Sequence, residues 1–203
     1  ITYKSIFKSV LVAGCVAIVS SCQLTNLDIN TDPNRPATGS LSLLLPNSIN
    51  AAFNASDFSD SGWTGVLNGN DDYSLTNSSY IGTWDGFYNN TQNIEEMLKA
   101  SADGKNPRYR GIALTLKAYA VGNFVDSFGD VPYSEAWQGN GSTANFTPKF
   151  DKDSEIYEKL IKMCDEAVAE LAKPQAISVV NDFLYAGNAA KWTALAKTVK
   201  LRL

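Results

Sequence analysis

The chain has 203 residues, of which 44% are hydrophobic and 11% aromatic, a content that is typical of a globular protein and excludes a largely disordered chain. Its formal net charge is −4, and without a cluster of basic residues it has no surface for binding nucleic acid. The complete absence of histidine excludes Ser-His-Asp and Cys-His nucleophile sites and removes the commonest metal ligand. Because Walker A and Rossmann glycine patterns are also missing, we expect neither a metal nor a cofactor.

The N-terminal segment has the parts of an export signal. A basic start is followed by an apolar run over 10–19 and then by small residues that lead to Cys22. The run is shorter than the ~20 residues that a membrane-spanning helix needs. Residues 19–22, Val-Ser-Ser-Cys, resemble the lipobox of bacterial lipoproteins, in which the cysteine thiol is acylated. We predict a signal peptide over 1–21 and a lipid anchor at Cys22; the alternative is a leader cleaved near Ser21 or an ordinary buried helix.

The next part of the chain is dominated by turn-forming residues. Residues 22–46 are rich in Asn, Asp, Thr, Ser and Pro, which predicts a linker and surface loop after the anchor. A short helix is expected over 48–55. Residues 56–79 mix Gly, Asn, Asp and Ser with aromatic residues, which is typical of a long loop and marks a candidate functional surface. We assign 47–203 to one helical domain that lacks its C-terminal part.

Helical periodicity predicts two hairpins in the rest of the chain. Apolar residues recur at steps of three and four over 84–98 and again over 107–128, and the turn between these runs makes the first hairpin. A third helix, capped by Asp153 or Ser154, should stop at Lys173–Pro174. A fourth helix is expected from near Ala189.

Small residues at the expected helix contacts suggest tetratricopeptide-like stacking, although no regular repeat period is present. These residues are Ala113, Ala118, Ala120, Ala167 and Ala194. The predicted fold class is all-α, with tetratricopeptide-like helical hairpins and long loops that contain aromatic residues.

Aromatic residues with polar neighbours are the best candidates for a ligand site. Sugars present flat C–H faces that dock on indole and phenol rings, while Asn and Asp bind the hydroxyls. The candidate residues for such binding are Trp63, Asp72, Tyr73 and Trp84. The alternative for Trp84 is that it forms part of the core together with Tyr88, one helical turn away.

Catalytic alternatives have less support in the sequence. Asp126, Asp130 and Glu135 could form the carboxylate pair of a glycoside hydrolase, but carboxylates around a helix end are more often caps and solvated charges. Cys164 lies on the apolar stripe of its helix, as a buried core thiol does. We therefore expect no enzyme activity.

Five short runs are spread along nearly all of the chain that follows Cys22. They are Leu27–Asn34, Asp126–Ala136, Asn181–Gly187, Lys191–Trp192 and Lys200–Leu203. As a set, these runs resemble the SusD/RagB family of outer-membrane nutrient-binding lipoproteins from Bacteroidetes, in particular its SusD-like subgroup. The second run reads as a fold marker, because Gly129 can adopt the positive φ that ends a helix and Pro132 prevents its continuation.

The resemblance implies a mostly helical, tetratricopeptide-like protein on which loops build a glycan site. It also implies a position at the outer membrane, facing the cell exterior, as a lid on a TonB-dependent, SusC-like transporter, and a full length well beyond this chain. We expect a lipoprotein that captures oligosaccharides, or peptides, and delivers them to that partner for nutrient uptake. The alternative is a helical-repeat envelope scaffold that binds only protein or peptide partners.

Overall fold

The computed structural model describes residues 40–54, 77–139 and 144–203. Within these ranges the chain forms five helices: α1 (Leu41–Asn54), α2 (Asn77–Ala100), α3 (Pro107–Phe128), α4 (Asp153–Ala172) and α5 (Ala189–Arg202). Between α3 and α4, two short antiparallel strands pair as β1 (Val131–Pro132) and β2 (Phe150–Asp151). The predicted all-α class is confirmed, with this small strand pair added. The residues predicted as anchor and loop ligands, Cys22, Trp63, Asp72 and Tyr73, lie outside the described ranges.

Both predicted hairpins are present. Glu95 Oε1 of α2 lies 2.5 Å from Lys117 Nζ of α3, and Trp84 contacts Phe128, so these two helices run antiparallel. In α4 and α5, Lys200 Nζ lies 2.6 Å from an oxygen of Asp165. Ala167 of α4 packs with Ala196 of α5, so position rises along α4 as it falls along α5, and these helices also run antiparallel. Helix α3 contacts all four of the other helices and therefore forms the centre of the domain.

The contact between α3 and α4 depends on a glycine. A Cβ atom on Gly111 would lie 2.6 Å from Leu171 Cγ and 3.0 Å from the Ala167 carbonyl oxygen. Both distances are shorter than ordinary packing allows, so only the absence of a side chain lets these helices approach so closely. Of the alanines predicted at helix contacts, four are buried, but Ala194 is exposed and Ala196 is buried in its place.

Helix α1 starts earlier than predicted. It begins at Leu41 rather than near Ser48, so that residues 41–46, predicted as linker, are helical and Leu45 is fully buried. Pro46 lies inside the helix and has no N–H to donate to the Ser42 carbonyl. Asn181 replaces that missing donor, because its Nδ2 donates to the Ser42 oxygen at 3.0 Å.

The start of α4 also differs from the sequence prediction. Asp153 is the first helical residue, and neither it nor Ser154 occupies the position before the helix. The capping carboxylate comes instead from the turn after α3, where Asp130 Oδ1 accepts from the Asp153 N–H at 3.0 Å. At α5 the cap is local, since Asn188 accepts from the Lys191 N–H at 3.1 Å. Among the helices that the structure describes, none combines the length and the apolar character that crossing a bilayer requires.

Candidate functional site

The chain changes direction sharply after α3. Gly129 has φ +70°, and its N–H donates to the Val125 carbonyl at 2.8 Å, which ends the helix as the sequence predicts. Strand β1 follows at once and pairs with β2, with Val131 opposite Asp151. The turn over 133–139 that follows β1 lies against α2, where Trp137 contacts Thr91.

The Asp151 carboxylate of β2 fixes the start of that turn through three hydrogen bonds. Its Oδ2 accepts from the N–H of Tyr133 at 3.1 Å and from the N–H of Ser134 at 2.7 Å, and its Oδ1 accepts from the Ser134 hydroxyl at 2.8 Å. Lys159 Nζ lies 3.6 Å from the same carboxylate. Burial alone would raise the pKa of Asp151, but the hydrogen bonds from Ser134 and Tyr133 and the charge of Lys159 outweigh it and hold the pKa below its ordinary value.

Asp151→Asn should therefore destabilise the chain in a pH-dependent way. A lowered carboxyl pKa contributes stability above the unfolded value of about 4, and this contribution is lost as the pH falls through the lower folded value. We expect a loss of about 1.5–3 kcal/mol at neutral pH that shrinks towards acid, measured by urea unfolding of both proteins between about pH 7 and about pH 2. Glu158→Gln, at an exposed position, is the matched control and should stay within about 0.5 kcal/mol of wild type at neutral pH. A difference that stays constant down to the lowest pH would contradict this role.

Trp137 closes the turn in an unusual backbone conformation. Its φ is +57°, in the left-handed region that non-glycine residues rarely adopt. The indole Nε1 donates to Thr91 Oγ1 of α2 at 3.1 Å. Lys117 Nζ of α3 lies 4.9 Å from the centroid of the Trp137 ring and is paired with Glu95. The ring is thus attached to both helices of the first hairpin.

A pocket of about 330 Å³ opens between α2 and this turn. We call it the aromatic pocket; its lining residues are Trp84, Tyr88, Asn89, Gln92, Pro132, Ala136, Trp137, Gly139 and Pro148. The volume lies at the lower end of the range of small-molecule sites. Each of the lining residues is uncharged at neutral pH, so the pocket offers rings, apolar atoms and amide groups to a ligand.

The three rings of the pocket are held in different ways. The Tyr88 hydroxyl donates to the Pro132 carbonyl at 2.8 Å, and burial raises the pKa of Tyr88 well above its ordinary value, so this side chain stays protonated. The centroids of Tyr88 and Trp137 are 5.5 Å apart, and those of Tyr88 and Trp84 are 5.6 Å apart. Trp84 also stacks on the exposed Phe150 ring, with a centroid distance of 6.1 Å and an interplanar angle of 27°.

Trp84 lies between the core and the aromatic pocket, so its position fits both alternatives that the sequence left open, and its ligand role stays a prediction. It is partly buried against the core, where its centroid lies 5.2 Å from that of Phe124, and it also lines the aromatic pocket. The other predicted ligand residues, Trp63, Asp72 and Tyr73, fall outside the described ranges, and their roles stay predictions.

The three carboxylates weighed as a hydrolase pair have structural partners. Asp126 accepts from the Tyr157 hydroxyl at 2.5 Å, Asp130 caps α4, and Glu135 accepts from Asn145 Nδ2 at 3.1 Å. Cys164 is buried, and burial with the charge of Asp165 raises the pKa of its thiol to about 11, which suits a core residue. Across 40–54, 77–139 and 144–203, no group of three Cys, Asp or Glu side chains is arranged to hold a metal ion.

Sequence reasoning missed four of the polar and aromatic residues in the pocket. The sequence indicates Tyr88 only as a core residue, and its periodicity and motifs do not point to Trp137, Asn89 or Gln92. The spacing of 84, 88 and 92 along α2 places a ring, a second ring and an amide on one stripe of the helix. An amide in line with two rings is the signal in the sequence that could have indicated a partly exposed aromatic surface on α2.

A family profile matches most of the chain. The profile is that of the SusD-like family described as starch-binding and associating with the outer membrane, and it matches residues 43–203. No curated protein sequence matches the chain.

Solved structures with the same fold are larger proteins. One is a SusD/RagB family protein from Bacteroides thetaiotaomicron, with a TM-score of 0.67 and 26% identity over 81% of this chain and 38% of that protein. A chitin-binding protein has a TM-score of 0.62 and 25% identity over 79% of this chain and 37% of its own. A chitin-binding SusD homolog from Flavobacterium johnsoniae has a TM-score of 0.56 and 24% identity, covering 80% of this chain and 35% of that protein.

These relatives identify the fold and show that the chain matches only part of their length. SusD-like proteins have a tetratricopeptide-like helical fold, so the predicted stacking of helical hairpins is confirmed. The chain spans 38%, 37% and 35% of the lengths of the three relatives.

Proposed function

This chain belongs to the SusD-like family, and we propose that it binds oligosaccharides for nutrient uptake at the outer membrane, through the aromatic pocket. The observation that carries the proposal is the pocket itself, in which Trp84 and Trp137 present rings next to the exposed amides of Asn89 and Gln92. Ring faces pack against the C–H face of a sugar, while amides donate to and accept from its hydroxyls.

We further propose that the protein is a binder and not an enzyme. Hydrolysis of a glycosidic bond needs an acid and a second carboxylate at the bond. Among the described residues that line the aromatic pocket, none has an ionisable carboxylate or a thiol. Uncharged lining groups suit capture and release of a sugar rather than its cleavage.

Attachment to the membrane and delivery to a transporter rest on the predicted anchor and on the resemblance to the family. Acylation at Cys22 would tether the protein to a membrane. The resemblance to the family implies that this is the outer membrane, with the protein facing the exterior and close to a TonB-dependent, SusC-like transporter. Tethering raises the local concentration of a captured ligand at its partner, so that moderate affinity suffices for delivery. These steps concern the whole protein and are proposals for it.

Binding tests the proposal directly. We expect micromolar-class affinity for maltohexaose or chitohexaose by isothermal titration calorimetry, with a loss of about tenfold or more in Trp137→Ala and a smaller loss in Gln92→Ala. Gln92 is exposed, so its replacement should leave the fold intact. Phe183→Ala, which removes an exposed ring that does not line the pocket, is the control and should bind normally.

Two results would overturn this function. Release of shorter sugars from the hexaoses, detected by chromatography, would make the protein an enzyme. Equal changes in saccharide affinity in Trp137→Ala and Phe183→Ala would mean that the aromatic pocket is not the binding site.

A second candidate is an envelope scaffold for protein or peptide partners. Exposed apolar side chains favour it, since Leu43 of α1 and Ile177, Val180 and Phe183 of the loop before α5 all face solvent. Co-purification from membranes separates the two: a partner barrel with retained glycan supports the first function, and partners without any retained glycan support the second.

A further inference from the structure

One wall of the aromatic pocket is the ring of a residue with a strained backbone, Trp137. Trp137 lies at φ +57°, a strained backbone conformation for a non-glycine residue that the surroundings must offset. Its side chain is only half-buried. A wall of the pocket therefore needs restraint from residues outside the turn.

Thr91 supplies a directed restraint from α2. Its hydroxyl donates to the Phe87 carbonyl at 2.6 Å, which uses its only hydrogen and fixes the orientation of the group. The lone pairs that remain are then available to a donor, and the Trp137 indole N–H donates to Thr91 Oγ1 at 3.1 Å. Thr91 is buried and does not line the pocket, so water competes little for this bond.

Lys117 supplies a second restraint from α3. Its Nζ lies 4.9 Å from the Trp137 ring and 5.3 Å from the Tyr133 ring, which places the charge against both aromatic systems. The carboxylate of Glu95 pairs with it at 2.5 Å, and the two charged side chains are only 14% and 15% exposed. Cation–π contacts strengthen when they are desolvated in this way.

We propose that Thr91 and the Lys117–Glu95 pair are positioning residues. They hold the Trp137 ring in the orientation in which it lines the pocket and would contact a saccharide. This inference rests on the proposed function and deepens it, because residues that never touch the ligand would then set its affinity. A ring that is already ordered before binding loses little rotamer freedom on binding. Releasing it should weaken binding without removing any ligand contact.

The central variant is Thr91→Val, which keeps the shape of the side chain and removes its hydroxyl. We expect the affinity for whichever hexaose the wild-type chain binds to fall about three- to tenfold. Thr115→Val is a matched control, since Thr115 is also buried and donates to the carbonyl four residues before it, Gly111, at 2.8 Å. The affinity of Thr115→Val should stay within about twofold of wild type. Thr91→Ser keeps the hydroxyl and should therefore retain most of the wild-type affinity.

A readout free of ligand tests the restraint itself. The indole N–H resonance of Trp137, assigned by its loss in Trp137→Phe, should exchange with solvent about tenfold faster or more in Thr91→Val and in Lys117→Met, and at the wild-type rate in Thr115→Val. Unchanged exchange in Thr91→Val would overturn the proposal. So would equal loss of affinity in Thr91→Val and Thr115→Val, which would mark a general effect on the fold.

The outcomes separate this inference from the function on which it rests. If Trp137→Ala loses binding while Thr91→Val and Lys117→Met bind normally, the positioning role is wrong and the function stands. If the wild-type chain binds neither hexaose, the proposed function fails, and the exchange rates still decide whether Thr91 holds the ring.

Discussion

Replacing Phe124 with alanine is expected to lower the free energy of unfolding by about 3–5 kcal/mol. Phe124 is 1% exposed and stacks on Phe87 with a centroid distance of 3.8 Å and an interplanar angle of 4°. The same ring contacts Tyr88 at 5.5 Å, Trp84 at 5.2 Å and Phe128 at 4.7 Å between centroids. Its removal leaves a cavity in the centre of the first hairpin, directly behind two rings of the aromatic pocket.

Urea unfolding followed by far-UV circular dichroism measures this loss. Phe124→Leu keeps most of the apolar volume and should cost less than half as much. Phe146→Ala is the exposed control, because its ring is 82% exposed, and it should stay within about 0.5 kcal/mol of wild type. A cost of Phe124→Ala no larger than that of Phe146→Ala would contradict the central place of this ring. Saccharide affinity should also fall in Phe124→Ala, since Trp84 and Tyr88 lose their support.

The helices around Phe124 could be predicted because their patterns are local. Apolar residues at three- and four-residue steps identify α2, α3 and α4, and prolines at 107 and 174 fix where α3 begins and α4 stops. Only the second half of helix α1 could be found in this way, because Pro46 indicates a break before the predicted helix over 48–55. The donor that replaces the missing N–H of Pro46 is Asn181, which lies 139 positions after its acceptor, Ser42, and no local pattern links the two.

The candidate site was predictable only in part, for the same reason. Trp84 could be proposed as a ligand residue or as a core residue from its type and spacing, but its contacts with Phe124 and Phe128 of α3 could not. Trp137 joins it through a hydrogen bond to Thr91 that spans 46 positions of sequence. Periodicity shows which face of α2 is aromatic, but only tertiary pairing shows which turn covers it.

Asp182 shows how a residue that marks a turn in the sequence can have a tertiary role. Asn181-Asp182 indicates only a loop before the fourth helix. In the structure the Asp182 carboxylate is buried and bonded to both the loop and α5: its Oδ1 accepts from the N–H groups of Leu184 and Tyr185, each at 3.0 Å. Its Oδ2 accepts from the Gly187 N–H at 2.8 Å and from Trp192 Nε1 at 2.7 Å.

Asp182→Asn should therefore cost about 3–5 kcal/mol, although the two side chains have the same shape. Asparagine keeps one acceptor oxygen and turns an NH₂ group towards two of the four donors, so two charge-assisted hydrogen bonds of about 1.5–3 kcal/mol each are lost. Trp192 is fully buried, so its indole N–H has no water to replace the lost acceptor.

The same substitution at an exposed position shows how much of the cost at position 182 comes from burial of the hydrogen-bonded carboxylate. The Asp165 side chain is 61% exposed and pairs with Lys200 at the surface, so Asp165→Asn should cost less than about 1 kcal/mol. Trp192→Phe removes one donor to Asp182, and in a double-mutant cycle it should couple to Asp182→Asn by about 1–2 kcal/mol. Equal costs at positions 182 and 165 would mean that the buried bonds contribute nothing specific. Additive costs in the cycle would mean that Trp192 is held by packing alone and that the loop and α5 are not joined through this carboxylate.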